Sequence, residues 1–268
     1  MKISIHIHSV YSSDSIQPIA SIIEESQKLG YEAIAITDHN TVAGSMTALK
    51  MHPKNLSVII GAEFSTEKGH ILALFIDDTI EKNCRMIDAG SRGGSGRHEF
   101  GKVYELDDLI AKVHGQGGLL FLAHPLESAA ADDPSFIEKL DGYERINGRI
   151  NSGFKNKRAG VLSQMLKARF SDKALIGGSD AHTIAELKSV YMTSDSNDPR
   201  EAIKNADAIH FSKSSMAKIR WHTMKSHKNR PLKYYLKQTA AMLFGLFYDL
   251  GEKIKGDSYE VIRVRQEN

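Results

Sequence analysis

The run AIAI at residues 33–36 is apolar at four successive positions, so neither face of a strand built from it can meet water. Strands of that kind belong to parallel sheets covered on both sides. The pattern around it repeats. The opening ISIHIHSVYSSDS, residues 3–15, predicts a strand in which Ile3, Ile5 and Ile7 point one way and Ser4, His6 and His8 the other. Pro18 suits a first helical turn, with Ile19, Ile22, Ile23 and Leu29 at helical spacing before Gly30. Beyond AIAI the pattern predicts a helix near 42–51, strands at 57–64 and 70–76, a helix at 106–116 and a strand at 118–125. A strand at 141–147, a helix at 154–170 and a strand at 174–182 follow. This alternation predicts an α/β architecture, either an open sheet or a (β/α) barrel.

The polar residues of this frame fall in one kind of place. His6 and His8 end the first strand, His39 follows the second in TDH, and Glu63 closes the third in GAEF. His124 ends LLFLAHP, while Asp180 and His182 end IGGSDAH. His70 departs from the rule by standing at the start of HILALFI. Carboxyl ends of parallel strands are where barrels assemble active sites from separate loops. Imidazole and carboxylate together suit zinc, manganese or iron, and a carboxylate such as Glu63 can bridge two ions. An HxH strand alone is a common structural pair; six segments delivering such groups in chain order point to metal binding.

These segments also carry a resemblance. HIHSVYSSDS, AITDHN, GAEFS, GHILALF, LAHP and GSDAH resemble, in order and over about residues 1–200, the motifs of the polymerase and histidinol phosphatase (PHP) phosphoesterase family. The resemblance implies a distorted (β/α)7 TIM-like barrel holding two or three divalent ions, commonly zinc, manganese or iron. Carried over by position, it implies His6, His8, Asp14, His39, Glu63, His70, His124, Asp180 and His182 as ligands. Glu63 would bridge, as Asp180 does in some members, and Asp14, His39 and His182 would share one ion. Asp14 stands where some relatives have histidine, and its alternative is a turn or cap before the Pro18 helix. Asp38 is expected to orient a ligand histidine rather than bind metal.

A phosphoryl group also needs a cation from the protein. Arg149 in INGRI is the candidate, resembling loosely an asparagine-containing family motif, with a surface loop charge as its alternative. Arg85, Arg92 and Arg97 lie in a Gly- and Arg-rich insertion at about 78–104 and could close over a phosphate; solvated loop charges are the plainer reading. His52, His114 and His210 read as ordinary histidines, and His98 as one unless it serves as an auxiliary acid. The resemblance implies that members acting on nucleotides often carry a sizeable helical insertion over the site, and the insertion here is short and Gly-rich, so the substrate stays open; small phosphomonoesters, nucleotide-derived ones included, are expected over long DNA.

Composition bears on compartment and partners. With 41% hydrophobic and 25% charged residues in 268, the chain has an ordinary globular balance. A lone cysteine, Cys84, and a start unlike a secretory signal predict a cytoplasmic protein. Net charge is +2, yet residues 213–237 hold eight Lys or Arg and no acid, so the remainder carries −6. Residues 1–210 are therefore read as the barrel and 211–268 as a basic helical C-terminal extension. Leu232, Tyr235, Leu236, Leu243, Leu246, Phe247 and Leu250 share one face of a helix expected over 231–255. Packing against the barrel is the first expectation for that face. A helix lying on an anionic membrane is the second, and nucleic-acid docking through Lys213, Lys218, Arg220, Lys225 and Lys228 is the third.

Three functions fit. The first is hydrolysis of a small phosphomonoester, with metal-activated hydroxide attacking phosphorus, Glu63 bridging and Arg149 assisting. The second is a phosphodiesterase or exonuclease acting on single-stranded nucleic acid along the basic segment. The third is a catalytically silent metal-binding module, which the intact ligand set disfavours.

Overall fold

The computed structural model describes residues 1–88, 101–152, 155–226, 232–253 and 260–264. Seven strands close into the expected barrel: β1 (Lys2–Ile7), β2 (Ala33–Ile36), β3 (Ser57–Thr66), β4 (Gly69–Leu74) and, past the short strands β5 (Met86–Asp88) and β6 (Lys102–Tyr104), β7 (Leu119–Leu122), β8 (Gly142–Asn147) and β9 (Ala174–Gly178). They pair in the order β1, β2, β3, β4, β7, β8, β9. Closure from β9 to β1 is made by Ser179 N to Ile5 O at 3.0 Å and His8 N to Ala181 O at 2.9 Å. The Gln17 amide clamps the seam, donating to His8 O at 2.6 Å and Ala181 O at 2.8 Å.

Strand direction explains the position of His70. β1, β2 and β3 are mutually parallel, as are β7, β8 and β9, but β4 runs antiparallel to both β3 and β7. Its amino end therefore lies at the carboxyl ends of its neighbours. Ser65 is the register partner of His70, and Ala123 N donates to His70 O at 3.0 Å.

Along β1 simple alternation fails. Ser4 pairs with Ile34 and Ile7 with Ile36, so three steps of β1 oppose two of β2. The extra residue is a β-bulge, and His6 takes a φ of 60° there. Below the bulge Ile3 and Ile5 join Ala33, Ala35, Ile59, Leu72 and Phe121 in the barrel interior. Above it Ile7 turns outward to Ile19, Ile22 and Ile36. Expecting Ile7 to share a side with Ile3 and Ile5 was thus incorrect: the bulge reverses the phase, placing His6 and His8 above an apolar floor.

Helices cover the barrel: α1 (Ile19–Lys28), α2 (Ala43–Lys50), α3 (Thr79–Asn83), α4 (Leu106–Gly115), α5 (Gly148–Asn151), α6 (Asn156–Arg169) and α7 (Pro199–Lys204). Leu106, Leu109 and Val113 of α4 bury against Ile71, Ala73, Leu120 and Leu122, the outward residues of β4 and β7. Each such side chain contributes about 1.5–3 kcal/mol on burial. Three antiparallel strands, β10 (Val190–Thr193), β11 (Ala208–Phe211) and β12 (Glu260–Arg263), extend the sheet from β1. Alternation of helix and strand gave no sign of them. Within the basic segment lie α8 (Met216–Ser226) and the start of α9 (Leu232–Lys253). Of the seven side chains on the expected apolar face of α9, Tyr235 is half-buried and the leucines and Phe247 stand exposed, 74% for Leu232 and 76% for Phe247. The expectation that they pack on the barrel is not met, because the other face of α9 is the one laid against α8.

Candidate metal centre

The apolar floor ends where the strands do, and the nine side chains singled out in the sequence gather above it. Their donor atoms form overlapping groups: His8, Asp14, His39 and His182; His6, His124 and Asp180; His6, His8 and Glu63; and His39, Glu63 and His70, with the atoms of each group within 4.8 Å of one another. Glu63, 1% exposed, stands in the middle. Its Oε1 lies 3.0 Å from His70 Nδ1 and 2.9 Å from His124 Nε2, and its Oε2 lies 3.2 Å from His8 Nε2 and 3.1 Å from His39 Nδ1. Asp14 Oδ2 meets His182 Nε2 at 2.9 Å and His39 Nε2 at 3.3 Å. That position is a site role rather than a helix cap, and α1 begins with no side-chain cap.

Local backbone serves this convergence at a cost. His6, His124 and Asp180 have φ values of 60°, 28° and 50°. A side chain in that region costs on the order of 1–3 kcal/mol and persists where surrounding structure enforces it. Here hydrogen bonds to neighbouring segments hold the backbone, Ala181 N to His6 O at 3.2 Å, Ala123 N to His70 O at 3.0 Å and His124 N to Glu144 Oε2 at 2.6 Å.

The donor set fits divalent ions. His6 Nε2, His8 Nε2, His39 Nδ1 and Glu63 Oε2 are buried with no hydrogen-bond partner, which is expensive unless something binds them. The set is all nitrogen and oxygen, which suits zinc, manganese or iron. In the metal-free protein protons stand in for cations. Burial would lower His8 and His124, but Glu63 and Asp180 outweigh it and raise them to about 10 and about 9. Burial likewise pushes Glu63 and Asp180 up, and the surrounding imidazoles hold both well below the carboxylate range. Burial, followed by Arg149 and His8, lowers His182 to about 4.

A PHP domain matches residues 4–210. The chain belongs to the PHP domain family. A Methanocaldococcus jannaschii protein named only as uncharacterised is 30% identical over 180 residues, covering 62% of this chain and 92% of its own. Among solved structures, a Bacteroides vulgatus two-domain protein, described as containing a predicted PHP-like metal-dependent phosphoesterase, superposes with a TM-score of 0.53 at 17% identity, covering 84% of this chain and 69% of that one. An amidohydrolase from Chromobacterium violaceum gives 0.51 at 16%, covering 69% and 89%. At these identities the two structures speak for the fold.

Around these nine candidate ligands lies a layer that the sequence displayed only in part. Asp38, fully buried, accepts from Ser9 N at 2.6 Å, Ser9 Oγ at 2.7 Å and Ser12 Oγ at 2.9 Å. It reaches a ligand histidine only through Ser12, whose Oγ lies 3.0 Å from His8 Nδ1. Because Ser12 spends its proton on Asp38, His8 Nδ1 donates and Nε2 is left to face the site. Glu144 was missed altogether. It accepts from His6 Nδ1 at 2.7 Å, His124 N at 2.6 Å and Asn147 Nδ2 at 2.9 Å. An acid within the otherwise buried strand GYERIN was the available signal.

Arg149 is the second residue of α5, whose start is capped by the Asn147 side chain accepting from Arg149 N and Ile150 N, each at 3.1 Å. Its Nε is 3.5 Å from Glu186 Oε1 and its Nη2 donates to Thr223 of α8 at 3.2 Å. Burial opposes its charge, and Glu186, Asp180 and Asp14 more than restore it, raising its pKa. Glu186 and Thr223 had no sequence signal. Arg85 pairs with Glu105 on the surface; Arg92, Arg97 and His98 lie outside the described residues. His114 pairs with Asp141 at 3.0 Å, His210 bonds Thr193 at 3.1 Å, and His52 is exposed.

Proposed function

We propose that this PHP protein hydrolyses small phosphomonoesters, nucleotide-derived ones among them, with two or three divalent ions of zinc, manganese or iron. The observation that supports this best is Glu63, whose two oxygens face separate sets of imidazoles in one buried pocket. Ions held on either side of it would polarise phosphoryl oxygens and lower the pKa of bound water. The chain does the positioning. Glu144 and Ser12 accept hydrogen bonds from Nδ1 of His6 and His8, so both Nε2 atoms aim inward, where each would offer its lone pair to an ion. Asp38 fixes Ser12. Arg149, kept charged by its acidic neighbours, would pair with a phosphoryl oxygen. Ile5, Leu72 and Phe121 close the pocket from below and exclude water there.

The test uses protein purified without a histidine tag. Metals are counted per chain, and mononucleotides, bisphosphates, sugar phosphates and single-stranded oligonucleotides are offered with added Mn²⁺. Phosphate release without shortening of oligonucleotides supports the proposal. Shortened oligonucleotides would establish the exonuclease reading instead, and bound metal without turnover a silent module.

A further inference from the structure

The 22 residues of α9 are about 33 Å of helix, with the apolar side turned outward. Toward α8 the helix buries Gln238 and Gly245 and half-buries Tyr234, Ala241 and Asp249. On the opposite side Leu232, Leu236, Leu243, Leu246, Phe247 and Leu250 are 46% to 76% exposed. At a helical turn of 3.6 residues, these six fall within an arc of about 100°. A contiguous exposed stripe of this kind marks an interaction surface.

Rolling α9 over would not hide it. Asp249 Oδ2 accepts from Ser215 Oγ at 2.7 Å and Ala217 N at 3.1 Å, capping the start of α8. Tyr234 Oη donates to Thr223 O at 3.3 Å. These bonds pin the polar face of α9 to α8, leaving the leucines outward.

Charge selects the occupant. Residues 213–237 carry eight Lys or Arg and no Asp or Glu. Lys233 and Lys237 stand exposed along one flank of the apolar stripe, and Lys218 and Lys225 are exposed on α8. A second copy would bring the same cations to the contact, and Asp249 is already engaged in capping. An anionic surface that also accepts apolar side chains meets both demands.

We propose that the α8–α9 hairpin docks this protein on an anionic phospholipid surface, with α9 in the interfacial plane, its leucines in the acyl layer and its lysines among headgroups. Among the described residues no helix is long and apolar enough to cross a membrane, so the attachment is peripheral. Through Thr223 and Arg149 the docked hairpin is in direct contact with the rim of the metal centre.

Flotation of the full-length protein with vesicles tests this, using phosphatidylcholine alone or mixed with phosphatidylglycerol, at low and high salt. The protein is expected to float with the mixed vesicles at low salt and to be released at high salt. Leu243→Glu with Phe247→Glu should abolish flotation, and Lys233→Gln and Lys237→Gln should each weaken it about fivefold. All four side chains face solvent, so circular dichroism and metal content should stay unchanged. Absence of flotation, or equal flotation with neutral vesicles, would overturn the proposal. So would a concentration-dependent dimer that Leu243→Glu dissociates in a protein that ignores vesicles.

Discussion

Glu144 Oε1 stands 2.7 Å from His6 Nδ1, both side chains fully out of solvent. A carboxylate only accepts, so His6 Nδ1 must donate, and its Nε2 is the atom turned toward Glu63 and Asp180, where a cation would take the place of its proton. Removing that anchor frees the ring without removing a ligand. Glu144→Ala is expected to lower metal affinity about 10–100-fold, read as metal retained per chain against a graded chelator. Unchanged retention would show that His6 needs no such support.

The same pair depends on a bare backbone beside it. A Cβ at Gly178 would fall 1.7 Å from Glu144 Oε1 and 2.9 Å from His6 Cβ. Gly178→Ala must therefore displace Glu144 or spread β8 from β9. We expect a loss of about 1–3 kcal/mol in stability, together with weaker metal retention. A wild-type denaturation midpoint in this variant would mean that β8 and β9 move apart freely.

Glu63 and His124 differ from these supports because they are donors themselves. Glu63→Gln and His124→Ala should each reduce turnover by orders of magnitude while leaving the fold. Steady-state rates on the best phosphomonoester, beside a circular dichroism spectrum, decide the matter. Rates within a few-fold of wild type would refute both assignments.

Titration of the metal-free protein has a definite sign. His8 and His124 rise from 6.5 to about 10 and about 9 on folding, so their stabilisation is complete below about pH 6.5 and is lost as pH climbs through 9 and 10. Asp14, Glu63 and Asp180 are depressed by neighbouring imidazoles against the effect of burial, so their contribution holds above about pH 4 and disappears in acid. His182, lowered to about 4, disfavours the fold as pH drops below its unfolded value. Thermal midpoints without metal should thus peak near pH 6.5, where His182 no longer opposes folding and His8 and His124 still favour it, and fall on either side. With metal bound the histidines are already neutral, and the alkaline decline should vanish. Identical alkaline profiles with and without metal would contradict this.

The ligands were legible because each sits in a short local context, a strand run followed by a polar group, that one stretch of sequence displays. Glu144 was not, since its partner His6 is 138 residues away. His70 looked misplaced in the sequence; it is in register only because β4 is reversed between β3 and β7. The outer strands β10 to β12 left no helical alternation to read, and the stripe on α9 was visible while its exposure was not.

By itself the sequence determined an alternation of strands and covering helices and an ordered set of imidazoles and carboxylates, because hydrophobic period and residue chemistry are local properties; a barrel rather than an open sheet was implied by the family resemblance and is closed by hydrogen bonds between β9 and β1. Tertiary structure alone decided that His6 faces inward with Ile5 beneath it, that His70 joins the mouth, and that the leucines of α9 look outward. Bulges, strand direction and the choice of a helix's packing face are settled by hydrogen bonds to distant segments, and no local period encodes those.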